Sequence, residues 1–372
     1  MITAHDVIII GAGPAGLGIG MKLKELDIDY LILEKDQIGA SFLQWNNKTR
    51  FISPSFPSNA FGQIDLNSID ASSSPALFTK KQNPNGGEYA EYLKDFSIRK
   101  QLNIKNNSEV ITIEKDNEIF KVFTKKYKYF AKFICCATGE FNFPNYGNIT
   151  GKELGIHSSK IKNYDRFDTI TGAIPIIGGY ESSIDLAYNL IKLGKKVSVF
   201  SNDNMDNYNS SDPSKILSPV SMQKLHKMQQ SELFSFTKDI ILSLSYDNKS
   251  YVLKGKHNEY NFIYQPILAT GFKSNFEPLG DLVTYRNDGN PQLNEFDELK
   301  KTKGIFISGP MVRQEELIFC FIYKFRQRFG IIALEIAQRL GKNIDYQQIK
   351  KSWIKQGFYL DDFSCCENEC VC

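Results

Sequence analysis

The sequence predicts an α/β fold of two Rossmann-like, three-layer domains, one inserted into the other, and three observations carry that prediction. The apolar run Val7-Ile8-Ile9-Ile10 breaks into Gly11-Ala12-Gly13-Pro14-Ala15-Gly16. A second run, Ile174-Pro175-Ile176-Ile177, leads into Gly178-Gly179 and a helical stretch. Two more apolar strands end alike, in Ala137-Thr138-Gly139 and Ala269-Thr270-Gly271. At 372 residues the chain is too long for one small core, so two domains are expected.

In the first unit a buried strand delivers the chain to Gly11. Gly13 has no Cβ, so a pyrophosphate can approach the backbone, and Gly16 lets the following helix pack close to the strand. The phosphates would rest on the free N–H groups of the helix start, around Pro14 and Ala15. The next strand, Tyr30-Leu31-Ile32-Leu33, ends on Glu34, followed by Lys35. An acid about 20 residues after the glycines is where a ribose hydroxyl is held. Beyond it, the Ser-, Pro- and Asn-rich segment 50–87 is turn-rich and of a length that often shapes a binding site. A helix is expected over 88–96 and a β-hairpin over 110–123.

The second unit repeats the order. A strand ends at Ile177, Glu181, Ser182 and Ser183 open a helix that Gly194 stops, and Val197-Ser198-Val199-Phe200 is the next strand, with Ser201 at its tip. Tyr180 stands where the middle glycine is expected, so the phosphate approach differs there. Residues 201–221 read as a polar loop over this second nucleotide site. Strands resume over 240–253, and 304–310 is one more buried strand carrying Gly309 and Pro310. A core-facing helix is expected over roughly 315–340, since Lys324, Arg326 and Arg328 interrupt its apolar stretch and rule out a membrane span.

With 45 basic against 42 acidic residues the net charge is +3, and the lysines are dispersed, which argues against a nucleic-acid surface. The N-terminal residues run directly into the first strand, so no signal peptide, a cytoplasmic location and reduced cysteines are expected.

Two glycine turns, two Ala-Thr-Gly strand ends and the late Gly309 strand together resemble flavoproteins with two dinucleotide-binding domains. That group includes thioredoxin reductases, flavin-containing monooxygenases and bacillithiol-disulfide-reductase-like proteins. The likeness is nearest to bacterial flavin-containing-monooxygenase-like proteins, on Gly39-Ala40-Ser41-Phe42 with Trp45, Ala137-Thr138-Gly139-Glu140-Phe141, and Gly151 followed by His157-Ser158 and Tyr164. The resemblance implies FAD in a first domain over 1–165 and 273–356, and NADPH or NADH in an inserted domain over 166–272. A cysteine-rich tail fills 357–372. It further implies that Gly11, Gly13, Gly16 and Glu34, with Pro14, Ala15 and Lys35 beside them, hold the adenine half of FAD. Ser41, Trp45 and Ser53 would lie near the flavin ring, Thr138 and Gly139 would support it, and Gly309 would flank it. Many relatives carry an aspartate after that glycine where this chain has Pro310. A helix behind Pro310 would aim its positive end at the flavin. For NAD(P)H the corresponding residues are Gly178, Gly179, Glu181, Ser182, Ser183, Ser201, Thr270 and Gly271. Without an acid at the tip of the 197–200 strand to favour a free ribose, NADPH is favoured over NADH.

The cysteines bear on the reaction. None occurs over 1–132 or 137–319, so neither internal redox disulfide common in the resembled group can form. Adjacent Cys135 and Cys136 point to opposite faces of a strand and read as buried, and Cys320 reads as core. Cys365, Cys366, Cys370 and Cys372 crowd the last eight residues and could bind a soft metal or relay electrons by thiol exchange. The leading expectation is a monooxygenase-like enzyme passing hydride from NAD(P)H through FAD to O₂ and a small soft nucleophile. The alternatives are a thiol, disulfide or metal-ion reductase working through the tail, and a metal-thiolate carrier or redox sensor. A small-molecule substrate is expected, with no nucleic-acid or membrane partner. A tail serving a neighbouring subunit would require a homodimer.

Overall fold

Strand β1 (Thr3–Ile10) carries the first apolar run into the middle of a seven-stranded sheet. The computed structural model describes residues 3–56, 64–205, 210 and 212–363. The tail cysteines Cys365, Cys366, Cys370 and Cys372, and with them their redox and metal-binding readings, lie outside the described residues. The described residues of 1–43, 53–140 and 274–372 form one compact unit, and those of 44–52 and 141–273 a second.

In the first unit, β1 is followed by α1 (Pro14–Glu25), β2 (Tyr30–Leu33), the short α2 (Ala40–Leu43), α3 (Pro75–Thr79) and α4 (Gly86–Arg99). Strands β3 (Ile104–Lys105), β4 (Val110–Asp116), β5 (Ile119–Thr124) and β6 (Lys128–Cys136) complete its N-terminal part. The sheet order is β3-β2-β1-β6-β5-β4. Parallel pairing sets Ile10 beside Leu33 on one side and Cys136 on the other. Val7, Ile8, Ile9 and Ile10 are all buried, as expected of a parallel strand covered on both faces. Helix α1 contains three glycines, a composition that costs about 1 kcal/mol each in helix propensity. Packing explains at least one of them: a Cβ on Gly18 would lie 2.0 Å from the Phe329 ring, so that ring rests on bare helix backbone.

Segment 64–74 lacks strands, and buried polar groups hold it instead. Asn67 Nδ2 donates to the Ser53 carbonyl at 2.9 Å, and the Tyr89 hydroxyl donates to the Asn67 carbonyl at 2.7 Å. The buried Arg326 guanidinium donates to the carbonyls of Asp65 and Ser68. Burial pushes its pKa down to about 10.

The second unit contains β7 (Ile156–His157), β8 (Ile174–Ile177), α5 (Glu181–Lys192), β9 (Val197–Ser201), α6 (Pro219–Gln229) and β10 (Phe234–Lys238). An antiparallel meander, β11 (Ile241–Tyr246), β12 (Tyr251–Gly255) and β13 (Glu259–Phe262), leads to β14 (Ile267–Leu268). The five-stranded sheet runs β10-β9-β8-β14-β7 and is parallel throughout. Residues 141–165 belong to this unit because they contain β7, whose Ile156 and His157 pair with Ile267 and Leu268. The stretch 201–221, read as loop, already begins α6 at Pro219, capped by the Ser218 hydroxyl.

The chain then returns to the first unit. Strand β15 (Ile305–Ile307) pairs in parallel with the second half of β6, whose first half pairs antiparallel with β5. The helix read over 315–340 is not continuous. Residues 313–318 form a hairpin, β16 (Arg313–Gln314) and β17 (Leu317–Ile318), turning through Glu315 at φ +51°. Helical structure starts only with α7 (Ile322–Phe325) and passes through a 3₁₀ turn over Arg326–Arg328 into α8 (Phe329–Arg339), followed by α9 (Tyr346–Lys355). The apolar residues of 317–340 thus serve first a hairpin and then helices, which a single helical period cannot distinguish. No described helix is long and apolar enough to cross a membrane.

The 3₁₀ turn is anchored by Arg328, fully buried, whose Nε and Nη2 donate to the equally buried Asp297 carboxylate at 2.8 and 3.0 Å. Its remaining N–H groups reach the Leu360 and Glu295 carbonyls. Replacing Arg328 by Met strands a buried carboxylate, so Arg328→Met should lower unfolding free energy by roughly 3–5 kcal/mol in urea titration. Loss below 1 kcal/mol would mean that Asp297 finds other partners.

Candidate functional site

Both units build their glycine turn with one set of contacts. In the first, Gly11 N–H donates to the Leu33 carbonyl at 2.8 Å, and Ala137 N–H to the Ile10 carbonyl at 2.9 Å. In the second, Gly178 N–H donates to Phe200 and Ala269 N–H to Ile177, both at 2.8 Å. Gly11 (φ +103°) and Gly178 (φ +121°) lie in the region that favours glycine. A Cβ on either would strike the carbonyl oxygen of the Ala-Thr-Gly alanine, at 2.5 Å from Ala137 and 2.2 Å from Ala269. The two sequence motifs, far apart in the chain, are the two sides of one contact.

The helix starts behind these turns differ from those of four other helices, although α7 and α8 also lack a side-chain cap. Helices α3, α4, α6 and α9 each receive a side-chain cap, from Ser74, Asn85, Ser218 and Asp345. Helix α1 has Gly13 at its N-cap and α5 has Tyr180, neither with a side-chain cap bond. Apart from Pro14, which has no N–H, and Ser183, whose N–H donates to the Tyr180 carbonyl at 2.9 Å, their first-turn N–H groups have no side-chain acceptor, the arrangement that binds phosphate. Gly13 faces open space, since a Cβ there would meet nothing within 4 Å. Gly16 supports the turn from below: its Cβ would lie 1.9 Å from the Gly11 carbonyl.

Glu34 closes the first site at the tip of β2. Its Oε2 accepts the Ala12 N–H at 2.7 Å and its Oε1 the Asp36 N–H at 2.9 Å. Burial raises its pKa, against these two backbone hydrogen bonds. A carboxylate has about four lone-pair sites, so acceptor capacity remains for a ribose hydroxyl. Lys35 beside it is exposed. On the opposite strand ends, a Cβ on Gly309 would lie 3.3 Å from the Ala15 side chain, and the Thr138 hydroxyl approaches the Met311 sulfur at 3.9 Å. The structure thus brings Gly11, Gly13, Ala15, Gly16, Glu34, Thr138, Gly139, Gly309 and Pro310 to one end of the first sheet. These residues fit a dinucleotide: an uncapped helix, an open glycine face and a carboxylate at the neighbouring strand tip.

Two other expected positions, Ser53 and Trp45, contact neighbours within their own units. The Ser53 hydroxyl is buried and donates to Asn67 Oδ1 at 2.6 Å. Trp45 belongs to the second unit, its ring 5.1 Å from Phe51, whereas Ser41 and Ser53 belong to the first. No helix starts behind Pro310. Its carbonyl instead accepts the Arg313 Nη1 hydrogen bond at 2.6 Å. Sequence reasoning missed Arg313, whose one signal was a charged turn, Arg313-Gln314-Glu315-Glu316, breaking an apolar stretch.

In the second unit, the Tyr180 hydroxyl donates to the Ile216 carbonyl at 2.6 Å. The Glu181 carboxylate is turned toward α6, accepting the Ser218 N–H at 2.6 Å and the Ser221 hydroxyl. A Cβ on Gly179 would lie 2.5 Å from Ser201 Oγ. Ser182 is exposed, and Ser183 is fully buried with its hydroxyl unpartnered among the described residues. The Thr270 hydroxyl donates to the Asn145 carbonyl. His157 is buried, with Nε2 donating to the Gly271 carbonyl at 2.9 Å and Nδ1 accepting the Ser159 N–H. Burial holds this imidazole below its ordinary pKa, against the opposing bond to Gly271. It is a neutral brace for the Gly271 turn.

Cys135 and Cys136 are buried on β6, and burial pushes both thiols up, Cys136 to about 12. Cys320, expected in the core, is only half-buried. No cluster that could hold a metal occurs among the described residues.

A family model described as pyridine nucleotide-disulphide oxidoreductase matches residues 8–309. The bacilliredoxin reductase of Bacillus subtilis is 25% identical over 342 residues, spanning 90% of this chain and 98% of its own length. The solved bacillithiol disulfide reductase of Staphylococcus aureus superposes with a TM-score of 0.72 at 22% identity, over 91% of this chain and 99% of that one. A flavin-containing monooxygenase from Stenotrophomonas maltophilia gives the same TM-score at 15% identity, over 91% and 100%.

The glycine geometry separates two variants. Gly13 has φ −82° and open space around it, so Gly13→Ala should leave apo-protein stability within about 0.5 kcal/mol while flavin content, read by absorbance, falls at least tenfold. Gly11→Ala should instead fail to fold. Full flavin in Gly13→Ala would move the phosphates elsewhere. For His157, the unfolded chain takes up the proton first as pH falls through about 6.5, so stability declines on acidification. The melting temperature of His157→Gln should depend less steeply on pH between about 7 and 5.

Proposed function

Because the chain belongs to the pyridine nucleotide-disulphide oxidoreductase family, we propose that this FAD-dependent NAD(P)H oxidoreductase reduces a small-molecule disulfide. The carrying observation is correspondence over full length: the bacilliredoxin reductase relative aligns over 98% of itself. The balanced reaction is NAD(P)H, a proton and one disulfide giving NAD(P)⁺ and two thiols. Bound FAD supplies the chemistry by taking a hydride from NAD(P)H and passing two electrons on.

The chain's own residues bind and orient. Gly11, Gly13 and Gly16 present the uncapped start of α1 to the FAD pyrophosphate, with Pro14 and Ala15 in its first turn, and Glu34 takes the ribose. Gly178, Gly179, Ser182, Ser183, Ser201, Thr270 and Gly271 are assigned to NAD(P)H, with the buried Ser183 hydroxyl free for a phosphate oxygen. Glu181, with its carboxylate engaged at α6, positions the turn and is not assigned a cofactor contact. The four tail cysteines are assigned the relay, because the described thiols offer no pair: Cys135 and Cys136 are adjacent on a strand and buried.

That same lack of a pair favours one rival, the monooxygenase-like reaction, in which no protein thiol takes part. Anaerobic NADPH oxidation with a panel of low-molecular-weight disulfides decides between them. The expected result is oxidation without oxygen and two thiols formed per NADPH. Turnover that requires O₂ and leaves the disulfides intact would overturn the reductase reading. Replacing Cys365, Cys366, Cys370 and Cys372 together by Ser should abolish disulfide turnover while sparing flavin bleaching, and unchanged turnover would remove the relay.

A further inference from the structure

A polar cavity of about 280 Å³ opens in the first unit, lined among others by Arg286, Gln292, Lys300, Arg313, Gln314 and Glu315. Arg286, Lys300 and Arg313 line it with one acid, Glu315, while Asp288 pairs with Arg286 and Asp288 and Glu140 both act on Arg313. Arg286 is fixed in place: Nε pairs with Asp288 at 3.2 Å and Nη1 donates to the Glu315 carbonyl at 3.0 Å. Gln314 is equally committed, with Nε2 donating to the Asn294 carbonyl at 2.8 Å and to the Asp297 carboxylate. Arg313 is different. Its Nη1 donates to the Pro310 and Val312 carbonyls, while Nε and Nη2, one edge of the guanidinium fork, have no hydrogen-bond partner among the described residues. Nor does Lys300 Nζ. Burial lowers the Arg313 pKa, against the acidic neighbours Glu140, Cys320 and Asp288, with Arg286 adding to the lowering. The cavity therefore keeps unspent cationic donors in a partly desolvated place.

We propose that this cavity binds the carboxylate-bearing end of an anionic small-molecule disulfide. That the ligand is a disulfide rests on the reductase reading, whereas the anion site stands on the cavity itself. Its volume falls at the lower edge of ligand pockets, about 300–1,000 Å³, too small for a dinucleotide and suited to a head group. A free guanidinium edge matches the two oxygens of a carboxylate, and Lys300 provides a second point charge for a second carboxylate. The location matters too. Arg313 grips the carbonyl of Pro310, and Glu140, its ionic neighbour, directly follows Gly139. An anion held by Arg313 is thus anchored next to the strand ends assigned to the flavin.

The test uses the FAD-loaded full chain. Isothermal titration with succinate should show millimolar or tighter binding that succinamide, its uncharged counterpart, lacks. Lys300→Gln and Arg313→Gln should each weaken succinate binding about tenfold, the equivalent of one charge-assisted hydrogen bond. Lys303→Gln, outside the cavity and paired with Glu298, should not. Lys300 is exposed, so its variant keeps the test decisive if the Arg313 variant does not fold. In turnover, Lys300→Gln should raise KM for oxidised glutathione with kcat kept, and leave KM for the cationic disulfide cystamine unchanged or lower. Absence of succinate binding, or equal binding by both cavity variants, overturns the site. Succinate binding that obeys the variants while no disulfide is turned over keeps the anion site and overturns the reductase reading alone.

Discussion

The contact between a glycine and an alanine carbonyl organises this protein twice. In each unit the chain leaves one strand, β1 or β8, at a glycine pressed on the backbone of a strand that arrives about a hundred residues later, in a place where no Cβ fits. That contact sets how close the turn, the helix start and the Ala-Thr-Gly end can come. Everything assigned to nucleotide binding follows from it. The uncapped N–H groups of α1 and α5 point where they do because their turns are clamped from the side, and Glu34 reaches the Ala12 amide because β2 is in register with β1.

The rest of the first unit is held by a different class of force. Arg328 uses all three of its nitrogens on Asp297 and two carbonyls, and Arg326 holds the carbonyls of 65 and 68 while its Nε has no partner among the described residues. Such groups stabilise little in net terms, because desolvation offsets most of the attraction, but they are costly to break. They select one arrangement for irregular segments that no sheet ladder could define. In Arg313 both Nε and Nη2 are without a hydrogen-bond partner among the described residues, and the proposed anion site rests on that edge.

The sequence made the sheets and the glycine turns legible because their signals are local: apolar runs, spaced glycines and strand-end motifs survive without knowledge of tertiary contacts. The turn at Glu315 was not legible, since the apolar residues of 317–340 suit a hairpin and a helix alike. Glu181 was read as a cofactor contact from its place at a helix start, and only the fold shows its carboxylate spent on Ser218 and Ser221. Ser53 is placed near the flavin only by the family resemblance, and its hydroxyl donates to Asn67. Arg313 escaped because a single arginine in a charged turn has no period and no motif. Its meaning comes from the carbonyl of Pro310 and from the cavity, which exist only in three dimensions.

Cys135 and Cys136 pair in register with Ile9 and Ile10 of β1 and Phe306 and Ile307 of β15, away from water and protonated at any physiological pH. A thiol attacks disulfides only as thiolate. In the proposed disulfide reductase, thiol products would expose the protein to mixed disulfides and oxidised cysteines. Here the scaffold's sulfurs are used as small apolar packing groups next to the busiest strand ends of the sheet, and their chemistry is switched off by the medium in which they sit. The framework is thereby insulated from the reaction it supports.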